Sequence, residues 1–109
     1  MSDLLAKKCR PCELGVGKLS PSDIEAFMTH VPLWSVKNNR EISRRLKFKN
    51  FAEALAFVNK VGALAESEGH HPDIEFGWGY VVIKLSTHAI GGLSENDFIL
   101  AAKVDKIGK

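Results

Sequence analysis

A chain of 109 residues has room for one domain and little more. With 45% hydrophobic and 26% charged residues it has an ordinary globular make-up, and a formal net charge of +2 is too small to make nucleic acid or an anionic membrane its partner. No apolar run approaches the roughly 20 residues that span a bilayer, and Met1-Ser2-Asp3-Leu4-Leu5 lacks the charged region and apolar core of a secretory signal, so the expected compartment is the cytoplasm.

Residues 1–19 read as a flexible arm, and residues 20–109 as a single domain. The arm carries the two cysteines, Cys9 and Cys12, as one Cys-x-x-Cys in an irregular context. A structural zinc site needs four ligands and there is no second pair, so the motif is read as an exposed dithiol with no assigned role. Ser20-Pro21-Ser22-Asp23 announces the first helix. Ser20 caps, Pro21 suits the first helical position, and Asp23 meets the positive end of the helix dipole. Ile24, Phe27, Met28 and Val31 follow at helical spacing, and Pro32 is expected to stop the element.

A hairpin comes next. Leu33 to Val36 forms a short strand, Lys37 to Arg40 a turn, and Glu41 to Phe48 a longer strand. Ile42, Leu46 and Phe48 keep one phase of a period of two, while Arg45, Lys47 and Lys49 take the other, solvated face. Asn50 caps the longest helix, with Glu53 in capping-box position. Phe51, Leu55, Val58, Gly62 and Ala65 are predicted to be its buried stripe, and Gly69 ends it. A second hairpin runs from about Pro72 to Leu85. The last helix starts at Ser94, with Asp97 at its third position and Phe98, Ala101, Ala102 and Asp105 along one face. The predicted fold class is therefore α+β: a four-stranded antiparallel sheet with three helices packed on one face.

Three of the four histidines fall in two short stretches, Glu68-Gly69-His70-His71-Pro72-Asp73 and Leu85-Ser86-Thr87-His88. If Trp78-Gly79 is a two-residue loop, residues whose numbers sum to 157 face each other across the second hairpin. His71 then lies opposite Ser86 and His70 opposite Thr87, with His88 one step beyond. Opposed side chains have Cβ atoms about 5 Å apart, so the three imidazoles are expected to gather at the open end of the hairpin. Pro72 restricts His71 to an extended conformation. Glu66, one helical turn before His70, is placed to accept an imidazole N–H and fix its tautomer.

Three gathered histidines fit a catalytic zinc centre, metal-free acid–base catalysis, or plain surface residues beside a turn. Adjacent strand residues point to opposite faces, which suits a shared metal ion poorly. Imidazole can both give and take protons near neutrality, which favours acid–base work without a metal.

The stretch from Glu68 to Asp73, together with Ser86-Thr87-His88 and Gly92-Leu93-Ser94-Glu95-Asn96-Asp97-Phe98, resembles the pterin-4a-carbinolamine dehydratase family. The likeness runs over roughly residues 20–107 and includes the interval from His70 to His88. It implies the same α+β fold and a lyase needing no metal or organic cofactor. The reaction implied is dehydration of 4a-hydroxytetrahydropterin to quinonoid dihydropterin, which recycles the pterin used by aromatic amino acid hydroxylases. By resemblance His70, His71 and His88 form the catalytic set. His70 and His88 are then the acid–base pair, and His71 chiefly binds substrate. Gly69, Pro72, Ser86, Thr87 and Ala89 line the pterin, with Glu66 and Trp34 nearby; core packing is an equal reading of Trp34. Gly69 and Ala89 stand where some members carry acidic residues. The family also implies a homodimer or homotetramer, with an aromatic amino acid hydroxylase as a possible partner. Two alternatives come with it: a protein-interaction module of the transcription dimerisation-cofactor kind, and a dehydratase for another pterin such as a molybdopterin-related intermediate.

Overall fold

A computed structural model describes residues 18–107 of the chain; the arm before Lys18, with Cys9 and Cys12, lies outside the described residues. The elements in order are α1 (Pro21–Met28), β1 (Ser35–Lys37), β2 (Glu41–Lys47), α2 (Phe51–Glu68), β3 (Asp73–Gly77), β4 (Tyr80–Leu85) and α3 (Glu95–Ile107). The strands form one antiparallel sheet in the order β1-β2-β4-β3. The α+β architecture expected from the sequence is the one observed.

Local signals act where they were read. The Ser20 side chain accepts from the Asp23 N–H, with Pro21 in the first turn. Asn50 Oδ1 accepts from the Glu53 N–H at 2.9 Å, and Glu53 reaches back to the Lys49 N–H at 3.2 Å. The second hairpin closes at Gly77↔Tyr80, and its register runs Phe76↔Val81, Glu75↔Val82, Ile74↔Ile83 and Asp73↔Lys84, as a Trp78-Gly79 loop requires. Gly79 has φ 82°, a conformation that side-chain-bearing residues rarely adopt.

One face of the sheet carries Ile42, Leu46, Val81, Ile83 and Leu85, all buried in a single core with Ile24 of α1, Val61 of α2 and Phe98, Leu100 and Val104 of α3. Burying each such side chain is worth about 1.5–3 kcal/mol, so this face decides which side of the sheet the helices cover. The phase of β2 also puts Arg44 on the covered side. Its guanidinium pairs there with Asp105 of α3 at 2.5 Å, and Asp105 Oδ1 accepts the Trp34 indole N–H at 2.9 Å.

Three boundaries differ from expectation. Helix α1 ends at Met28 and not at Pro32, and Val31 is buried from the following turn. Strand β1 begins at Ser35, leaving Leu33 exposed and Trp34 in the core. The buried stripe of α2 is Ala54, Phe57, Val61 and Ala65; Phe51 and Leu55 are exposed, and Phe51 packs its ring against Phe76. Both stripes belong to one broad apolar arc. Ala65 is common to the two stripes, and the small side chain of Ala54 lets the helix approach closely on the side that is buried.

Candidate active site

The end of α2 sets the first half of the site. Gly69 takes the left-handed conformation at φ 67°, and its N–H and that of His70 bond to the carbonyls of Glu66 and Ala65. This αL cap turns the chain sharply, so His70 and His71 leave the helix in different directions. His70 goes inward, to 8% exposure, and its Nε2 lies 2.6 Å from Oδ1 of Asp97. His71 stays outside, with its side chain 60% exposed and Nε2 2.5 Å from Oε1 of Glu66.

The second half follows β4. Thr87 and Gly92 pair in an isolated antiparallel bridge that closes a tight loop over His88–Ile90, with Gly91 left-handed at φ 65°. His88 is exposed on this loop, its Nε2 3.9 Å from Asp73 Oδ2. That is an electrostatic approach too long for a hydrogen bond. Arg40, Glu41, Ser86, Thr87, His88, Gly91 and Gly92 surround a cavity of about 290 Å³ beside it.

Asp97 joins the two halves. It is fully buried, and its Oδ2 accepts from the Thr87 hydroxyl at 2.8 Å and from the Ser94 N–H at 2.9 Å, while Oδ1 faces His70. The one Thr87 hydroxyl proton is committed to Asp97, so in the 2.7 Å contact between Thr87 and Ser94 the serine donates. A carboxylate accepts and does not donate, so in this contact the His70 Nε2–H is the donor, and Nδ1 is the ring's other nitrogen. Each of the three histidines thus faces its own carboxylate: His70 with Asp97, His71 with Glu66, and His88 with Asp73.

Several expectations are corrected here. Glu66 faces His71, not His70, because the left-handed Gly69 swings His70 under the helix. The ladder stops at Asp73↔Lys84, and Leu85 pairs with Ile42, so His70 and His71 do not stand opposite Thr87 and Ser86 in register. The halves meet through Asp97 instead. Trp34 is buried, bonded to Asp105, and absent from the cavity lining. Of the other residues expected to line the pterin, Ser86 borders the cavity, Gly69 and Ala89 are exposed, and Pro72 is half-buried. The Thr87 hydroxyl is occupied inside the network. Sequence reading passed over Asp97, Asp73, Arg40 and Glu41. For Asp97 a signal existed, since Ser94-x-x-Asp97 has capping-box spacing and points a carboxylate back at its own N-cap.

The fold and site define a class: a small two-layer α+β domain with histidine–carboxylate pairs at one end of its sheet. The family follows from comparison with known proteins: the model described as pterin 4 alpha carbinolamine dehydratase matches residues 17–107, and this chain belongs to that family. Relatives provisionally named pterin-4-alpha-carbinolamine dehydratase are similar over nearly their whole length. One from Methylococcus capsulatus is 50% identical, covering 95% of this chain and 92% of the relative. One from Alkaliphilus metalliredigens is 51% identical, covering 97% and 96%. Among solved structures, one described as a transcriptional coactivator/pterin dehydratase from Brucella melitensis superposes with a TM-score of 0.79 at 29% identity, covering 85% of this chain and all of that one. Another, a pterin dehydratase-like protein described as a RuBisCO assembly factor of the alpha-carboxysome, superposes with a TM-score of 0.59 at 32% identity, covering 72% and 92%.

Proposed function

We propose that this protein dehydrates 4a-hydroxytetrahydropterin, with His70 and His88 moving protons and His71 holding the substrate. The observation that supports the proposal most is Asp97, one buried carboxylate touching both His70 and Thr87, which ties the stretch bearing His70 to the one bearing His88. In the reaction the C4a–O bond breaks, the hydroxyl gains a proton and leaves as water, N5 loses its proton, and the C4a–N5 double bond forms. His70, with Nε2–H held by Asp97, is suited to take the N5 proton at Nδ1, because the carboxylate stabilises the resulting imidazolium. His88, exposed on its loop beside the cavity, is suited to protonate the departing hydroxyl. His71, braced by Glu66 at the surface, offers a substrate contact.

The product is the quinonoid dihydropterin, so the protein would return pterin to aromatic amino acid hydroxylases. Self-association as a homodimer or homotetramer belongs to the same proposal, since β1 and β3 are the sheet edges among the described residues. A partner-binding role of the kind named for the Brucella relative is compatible with it, and the exposed Phe51 and Leu55 on α2 favour it. The test is to follow the decay of enzymatically generated 4a-hydroxytetrahydropterin with and without the protein. Acceleration is expected, and an unchanged decay rate at stoichiometric protein would overturn the proposal.

A further inference from the structure

Asp97 is one contact between α3 and the segment leaving α2, and there is a second. Lys103 Nζ donates to Glu68 Oε2 at 2.6 Å, and these side chains are only 16% and 5% exposed. Glu68 is the last residue of α2, two before His70, while Lys103 lies six residues beyond Asp97 on the same helix. At a rise of about 1.5 Å per residue, the two attachment points are roughly 9 Å apart along α3. Apolar packing brings the two helices together, and the His70–Asp97 hydrogen bond fixes one polar point of their junction. A second polar anchor at that separation constrains the angle as well.

We propose that the Glu68–Lys103 ion pair is a positioning device, a second tether that fixes the angle at which the end of α2 meets α3 and so aims the His70 imidazole. Neither residue touches the cavity, and both act through the His70–Asp97 contact. The two ends of this device are built differently. Asp97 is held in the N-terminal turn of α3 by its bond to the Ser94 N–H, whereas His70 hangs from the αL cap of α2. The ion pair spans the junction between these two ends. A pair with so little exposure is also little screened by solvent, so it can hold that junction at physiological ionic strength. For its catalytic consequence the inference rests on the dehydratase function proposed above; for His70 geometry it does not.

Removing Glu68 alone would strand the nearly buried Lys103 ammonium and cost stability for an unrelated reason. The main variant is therefore Glu68→Ala with Lys103→Ala in the full-length chain, which removes both charges together. Lys103→Arg, which keeps the ion pair, is its conservative control. Imidazole ¹H–¹⁵N spectra of His70 report its geometry without any substrate, and His30, exposed after α1, serves as the internal reference. The double variant is expected to shift the His70 ring signals and leave His30 unmoved. It is also expected to lower kcat by about tenfold with KM within about twofold, since small misplacements of a reacting group can cost up to about 10²-fold. Lys103→Arg should retain both the spectrum and kcat. Unmoved His70 signals in the double variant would overturn the proposal whatever happens to the rate. If the wild-type protein proves inactive, the dehydratase function fails, and the His70 spectra still decide the positioning. If the double variant does not fold, Glu68→Gln is read by the same criterion: displaced His70 signals support the tether and unmoved ones overturn it.

Discussion

Asp97 and His70, 27 residues apart in sequence, meet at 2.6 Å through a carboxylate that is fully buried and bonded at both oxygens. The imidazole is therefore held in one tautomer and one orientation by a group that itself has no freedom to move. Of the three histidine–carboxylate pairs it is the one shielded from solvent, and it distinguishes the expected behaviour of His70 from that of His71 and His88.

The three alanine substitutions should differ in kind. Losing one positioned acid or base typically costs about 10²–10⁴ in rate, and the uncatalysed dehydration in water sets a floor. His70→Ala and His88→Ala should lower kcat, and the double variant should approach the solution rate. His71→Ala should act mainly on KM, as loss of a contact made equally in ground and transition states would. Folding separates them too. His71→Ala and His88→Ala change exposed side chains, whereas His70→Ala leaves buried Asp97 Oδ1 unpaired, at a cost of about 1–3 kcal/mol. Steady-state kinetics and thermal melts of the set check both halves, and wild-type kcat in the His70/His88 double variant would place the proton-transfer groups elsewhere.

Asp97→Asn keeps the shape of the buried network and removes its charge. The amide must turn either its oxygen or its NH₂ toward His70, and with NH₂ inward it would force the opposite tautomer on the ring. The expected outcome is a loss of about 10- to 100-fold in kcat with KM little changed. A near-wild-type rate would show that the orientation of His70 is not what the buried carboxylate supplies.

Trp34 and Asp105 should affect stability and leave catalysis alone. Trp34→Phe removes one hydrogen bond while Arg44 keeps Asp105 paired, and should cost about 1 kcal/mol. Asp105→Ala strands both the Arg44 guanidinium and the Trp34 indole N–H in a half-buried setting, and should cost about 1–3 kcal/mol. Denaturant titration gives these values. KM for the pterin should stay at its wild-type level in Trp34→Phe, and a severalfold rise would put the indole in contact with substrate.

Lys84 gives a pH dependence of known sign. The hydrogen bond from its Nζ to Glu75 (3.1 Å), and then the Glu75 charge, hold the ammonium above the ordinary lysine range against a slight desolvation, with smaller help from Glu41 and Asp73. A folded-state value raised above the unfolded one stabilises the protein fully below the unfolded value, and the contribution disappears as pH climbs through the folded one. The melting-temperature gap between wild type and Glu75→Gln should therefore be constant through neutral pH and close at alkaline pH. The pair is exposed, so the gap should be small. A gap that widens on the alkaline side would contradict the assignment.

Dialysis against a strong chelator should leave the dehydration rate unchanged. The basis is the pairing of each histidine with a separate carboxylate, and among the described residues no three histidine, cysteine, aspartate or glutamate side chains converge to hold an ion. Tightly held stoichiometric zinc, with activity lost on stripping, would refute the expectation.

The sequence by itself determined the caps and the hairpin turn that depend on neighbours along the chain. Ser20 and Asn50 cap their helices, Gly69 ends α2, and the Trp78-Gly79 loop sets the register of its hairpin down to Asp73↔Lys84. These outcomes follow from φ preferences, from side chains reaching a backbone N–H three residues on, and from the period-two alternation of a strand. That the stretches bearing His70 and His88 lie near one another was legible because one hairpin links them, and Asp97 bonds to both stretches. Which carboxylate serves which histidine was not. A left-handed glycine reverses the chain between Glu66 and His70, and the docking of α3 brings Asp97 to a ring far away in sequence. Packing against the sheet and α3 also chose the buried face of α2, burying Ala54, Phe57 and Val61 and leaving Phe51 and Leu55 exposed. It also carried Trp34 to Asp105, 71 residues on. Contacts of that kind are set by how whole elements pack their apolar surfaces, and a buried polar group then takes whichever partner the packing brings within reach.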